Sequence, residues 1–96
     1  MYTRISTFLI KSGTRQQAAD LANELKPEIM KLPGIRQWIY AVGEDEKGVV
    51  VAVYDDADAA KSASEAALAL FGRFAKFMAT PPEAHEYEVE NNEFND

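Results

Sequence analysis

Ile35-Arg36-Gln37-Trp38-Ile39-Tyr40-Ala41-Val42-Gly43-Glu44-Asp45-Glu46-Lys47-Gly48-Val49-Val50-Val51-Ala52-Val53-Tyr54 is the stretch on which the fold turns. Two runs rich in β-branched and aromatic residues, Ile35–Val42 and Val49–Tyr54, flank Gly43–Gly48, whose glycines and charges suit a tight connection. The pair reads as a β-hairpin. In the first run Arg36, Trp38, Tyr40 and Val42 fall on one face, with Ile35, Gln37, Ile39 and Ala41 on the other. The second run is apolar on both faces, so both need cover.

Upstream, Ala18, Leu21, Ala22, Leu25 and Ile29 recur at spacings of three and four, which predicts a helix from near Arg15 that Pro33-Gly34 ends. Thr14 and Gln17 fit a capping box at its start, and Pro27, which lacks a backbone donor, is expected to kink or interrupt it. Before Gly13, the period-2 alternation of Tyr2–Ile10 predicts a strand with apolar groups on both faces. Downstream, Asp55, Asp56 and Asp58 precede an alanine-rich segment, where carboxylates cap free amides and complement the positive helix end. Magnesium at these aspartates has no further support in the sequence, and calcium in the acidic turn lacks the alternating ligand spacing of a known loop. The second helix is predicted from Asp58 to about Ala79, its apolar positions broad enough to be covered on more than one side. Pro81-Pro82 stops it, and Ala84–Val89 alternates as a half-exposed last strand.

The resulting order, βαββαβ, predicts an α+β domain over residues 1–90 followed by an acidic polar tail, 91–96. Right-handed crossovers place the first strand beside the third, giving a four-stranded antiparallel sheet in the order 4-1-3-2 with both helices on one face. The other face stays apolar and uncovered, and a second copy related by twofold symmetry is its simplest cover. A homodimer is predicted.

Composition narrows the function classes. The 96 residues contain no cysteine and one histidine, which removes thiol nucleophiles, iron–sulfur clusters and any site needing two imidazoles. Six acids and no Lys or Arg lie in 83–96, while the remainder is balanced, so no basic cluster exists for nucleic acid or an anionic membrane surface. The longest apolar run, Ala66–Gly72, is too short to span a bilayer, and the start of the chain does not read as a secretory leader. The cytoplasm is the expected location.

With Leu32-Pro33-Gly34-Ile35 entering the second strand and Val49-Val50-Val51-Ala52-Val53-Tyr54-Asp55-Asp56 leading to the second helix, the chain resembles the dimeric α+β barrel proteins of ferredoxin-like topology. Within that group it is similar to the antibiotic biosynthesis monooxygenases and their haem-degrading relatives over about residues 2–90. The resemblance implies two sheets facing each other across a dimer, with a pocket in each protomer between sheet and helices. Where haem-degrading members place an asparagine, a tryptophan and a histidine, this chain has Ser6, Tyr54 and about Glu65, so no haem and no other cofactor is implied. Cofactor-free oxygenation would ask the protein for a dry cavity and a group that stabilises an oxyanion.

Ser6, Trp38, Tyr54, Phe71 and Phe74 are the candidate pocket residues, and Tyr54, Ser6 and His85 the candidate catalytic ones. Trp38, Tyr40, Phe71, Phe74, Phe77 and Met78 also suit plain packing, and Arg4 and Arg36 suit ion pairs with a partner chain or a carboxylate-bearing ligand. Three functions stay open: a cofactor-independent oxygenase or isomerase for a small aromatic or hydrophobic compound, a non-catalytic dimer that binds one, and a structural dimer whose barrel Phe74 and Trp38 fill.

Overall fold

A computed structural model describes residues 1–95, running β1 (Tyr2–Leu9), α1 (Arg15–Ile29), β2 (Ile35–Val42), β3 (Lys47–Tyr54), α2 (Ala57–Gly72), a 3₁₀ turn (Ala75–Phe77) and β4 (Glu83–Glu88). The strands form one antiparallel sheet in the order β2-β3-β1-β4, which is the expected 4-1-3-2 counted from the other edge. Of the tail predicted for 91–96, residues 91–95 are irregular and exposed, and Asp96 lies outside the described residues.

Register explains which side chains meet the helices. Arg4 lies opposite Ala52 and Glu86, Ser6 opposite Val50 and Ala84, and Trp38 and Tyr40 opposite Ala52 and Val50. Because pleating sends successive side chains to opposite faces, these rows share the face on which Phe8, Val50, Ala52 and Tyr54 pack against Leu21, Leu25, Ile29 and Ala63. The other face carries Ile5, Leu9, Ile39, Val49, Val51, Val53 and Tyr87; no helix covers it, and Ile39 is 43% and Tyr87 50% exposed.

Several local expectations are corrected. A register shift between Ile35 and Gln37 leaves Arg36 unpaired and brings Ile35 opposite Tyr54, on the helix-covered face rather than beside Ile39. Thr14 makes no capping bond to α1; its hydroxyl instead donates to the Lys11 carbonyl at 2.7 Å, so the capping box does not form although the helix starts where expected. Pro27 does not interrupt α1, because it sits in the last turn, where one lost bond costs little continuity. The second helix ends at Gly72, not Ala79: Arg73 N donates to Leu70 O, a tight turn follows, and Met78 forms an isolated bridge with Ile10, just past the end of β1. Nor is α2 covered on more than one side within the chain, since Leu68 is 72% exposed.

The α2 start follows the sequence closely. Asp56 is extended and its Oδ1 accepts from the Ala59 amide at 2.8 Å. Gly34, at φ +66°, occupies the left-handed region, and a Cβ there would overlap that of Ala59, so the entry to β2 and the first turn of α2 touch backbone to side chain. Asp56→Ala is expected to cost about 1 kcal/mol, read as a lower urea midpoint at unchanged slope.

Candidate functional site

Small residues facing small residues leave space. On the sheet the middle rows present Ser6, Val50, Ala52 and Ala84, and α2 lays Ser64 and Ala67 above them. The outcome is a cavity of about 450 Å³, within the range of roughly 300–1,000 Å³ usual for small-molecule sites. Its far wall is aromatic: Phe8 stacks on Tyr40 at 6.2 Å between centroids, meets Phe71 edge-on at 5.6 Å, and Tyr40 stacks on Trp38 at 6.3 Å. Phe74 closes the corner against Tyr40 and Phe71 at 6.1 and 6.2 Å. Leu68, Pro82 and Ala84 line the same space and are themselves exposed, which puts its mouth between α2 and β4.

At the opposite end from the aromatic wall stands Arg4. Its Nη2 donates to Ser64 Oγ at 3.0 Å, to Ala60 O at 3.5 Å and to Glu86 Oε1 at 2.8 Å, and its Nε donates to the same Glu86 oxygen at 3.1 Å. The guanidinium carbon lies 6.0 Å from the centroid of the Tyr54 ring. Tyr54 is 1% exposed, and burial pushes its phenol above the ordinary value; Arg4 pulls the other way and Glu86 reinforces the rise. It is therefore a neutral donor near pH 7. Tyr40 is likewise raised by burial, against a smaller opposing effect of Arg15, and among the described residues its buried hydroxyl has no hydrogen-bond partner.

Ser6, Trp38, Tyr54, Phe71 and Phe74 all line this one cavity. Phe74 and Trp38 stand in its wall without filling it. His85 does not join them: paired opposite Ile5, it is exposed on the far face of the sheet. No imidazole faces the cavity, so it supplies no histidine as an axial haem ligand. Arg4 and Arg36 pair within the chain, with Glu86 and, at 3.6 Å, with Asp55. Sequence reasoning missed Ser64, Phe8 and Tyr40 as lining residues, and weighed Arg4 for ion pairs with a partner chain or a carboxylate-bearing ligand without placing it in the pocket. The signal for Arg4 was present, since residues two apart on a strand share a face and Ser6 was already a candidate.

No protein-family model matches the chain, and no curated protein is similar to it at a significant level. Solved structures do match. A Nitrosomonas europaea protein of unknown function superposes with TM-score 0.81 at 16% identity, over 99% of this chain and 94% of that one. A monooxygenase from the ActVA-Orf6 gene of Streptomyces coelicolor, solved with nanaomycin D, gives 0.78 at 17% over 99% and 92%. SnoaB, a cofactor-independent oxygenase from Streptomyces nogalater, gives 0.76 at 15% over 95% and 94%. The chain therefore shares the ferredoxin-like α+β fold of these proteins. At such identities the likeness is one of fold.

Proposed function

We propose that the protein is a cytoplasmic homodimer that binds a small aromatic or hydrophobic compound between sheet and helices and oxygenates it without a cofactor. The cavity carries this reading: it is apolar, walled by aromatic rings, and has a neutral phenol, Tyr54, and a cation, Arg4, at one end. In such a reaction the substrate supplies the electrons, one atom of dioxygen enters it and the other leaves as water. The protein's part is to exclude bulk water and to stabilise the oxyanion that the substrate develops as it loses a proton. Tyr54, a phenol that is neutral near pH 7 at its ordinary value and is raised further by burial, suits that donor role, and the solved oxygenases of the same fold support the choice of chemistry.

A second reading, a binding dimer without turnover, draws on the lining itself: among the described residues it includes no Asp, Glu or His to serve as a general base. Oxygen uptake and product mass with a panel of electron-rich phenols separate the two. Tyr54→Phe is expected to lower turnover by about a hundredfold while leaving the melting temperature within a few degrees. Saturable phenol binding with no oxygen consumption by the unaltered protein would select the binding reading.

A further inference from the structure

Among the described residues, Arg4 alone of the side chains lining the cavity bears a formal charge. Its side chain is only 17% exposed, and its hydrogen bonds use Nε and Nη2, leaving the Nη1 amino group without a protein partner among the described residues. The charge is incompletely countered, because Glu86 engages through a single oxygen and is 43% exposed on the edge strand, where water shares it. Ser64, 3.0 Å away, and the Tyr54 ring beneath hold the guanidinium against the cavity end. A fixed cation in an apolar enclosure attracts an anion far more strongly than the same cation in water.

From this geometry we infer that Arg4 is the anion anchor of the cavity, so that the ligand is an apolar ring compound bearing one anionic oxygen group, seated on Nη1 with its rings against Phe8, Trp38, Tyr40 and Phe71. This deepens the small-molecule reading above and rests on it. Glu86 then acts as the competitor that tempers the anchor: it occupies part of the same guanidinium in the empty site. The net charge of −6 opposes adventitious capture of anions elsewhere on the surface.

Two fluorescent probes that differ by one charged group test the inference, 8-anilinonaphthalene-1-sulfonate and its uncharged counterpart N-phenyl-1-naphthylamine. Arg4→Gln is expected to weaken the sulfonate about tenfold and to leave the uncharged probe within about twofold, whereas Glu86→Gln tightens the sulfonate several-fold. Circular dichroism checks that Arg4→Gln folds; should it not, Glu86→Gln, which keeps the anchor, decides alone. Sulfonate binding that neither substitution alters, as adsorption to the uncovered sheet face would give, overturns the anchor while the cavity reading stands. Failure of the unaltered protein to bind either probe overturns both.

Discussion

Val51→Glu is expected to halve the mass of the protein in solution, from a dimer to a particle of 10.7 kDa, in sedimentation velocity at micromolar concentration. Val51 stands at the centre of the uncovered sheet face, opposite Ile5 on one neighbour and Ile39 on the other. In a monomer a glutamate there would meet water and cost little. Across a twofold interface each copy would bury an unpaired carboxylate, at about 3–5 kcal/mol each, which weakens association by a factor on the order of ten thousand or more. The substitution leaves the helix-covered core untouched, so far-ultraviolet circular dichroism should not change. An unaltered protein that already sediments as a monomer, or a variant that stays dimeric, would refute the proposed assembly.

Gly48→Val acts on the other face and is expected to lower stability by about 2–3 kcal/mol while abolishing uptake of small aromatic compounds. Gly48 lies opposite both Phe8 and Val42, and a Cβ at this position would overlap the Phe8 ring, with Cζ at 2.7 Å. That ring cannot yield freely, because it is buried against Tyr40 and Phe71. The ring also lines the cavity, so a displaced Phe8 encroaches on that space. Urea unfolding measures the first effect and fluorescence titration with N-phenyl-1-naphthylamine the second. Phe8→Leu added to Gly48→Val should recover part of the stability, a coupling expected only of residues in direct contact.

The element order was legible because each boundary had local chemistry: Gly13, Pro33-Gly34 and Pro81-Pro82 end regular segments, and Asp56 caps α2 as its side chain suggests. Topology followed from handedness and short connections. What escaped was information held between elements. The shift at Arg36 depends on pairing with β3, so period-2 counting along β2 alone put Ile35 on the wrong face. The end of α2 at Gly72 was masked by Phe74, Phe77 and Met78, which continue an apolar pattern but reach the core through a 3₁₀ turn and a bridge to Ile10.

The candidate site shows the same division. Aromatic residues drew attention to Trp38, Tyr54, Phe71 and Phe74, all of which line one cavity, whereas the space itself comes from alanines and serines spread over β1, β3, α2 and β4. No single segment announces such a void. Arg4 looked like an interface cation because Glu86 lies 82 positions away in the chain and only strand pairing brings them together. His85 attracted notice as the sole imidazole, yet pleating turns it away from the helices.

The mouth between α2 and β4 has a consequence for how this protein can change. Leu68, Pro82 and Ala84 border the entrance but are exposed and contribute little to the packed interior, whereas Phe8, Tyr54 and Phe74 are both inner lining and core. Substitutions at the entrance therefore alter which molecules are admitted at almost no cost to folding, while those deeper inside put the whole fold at risk. A lineage carrying this architecture is free to drift in ligand size and shape from the rim inward, with its inner end held constant by the demands of stability.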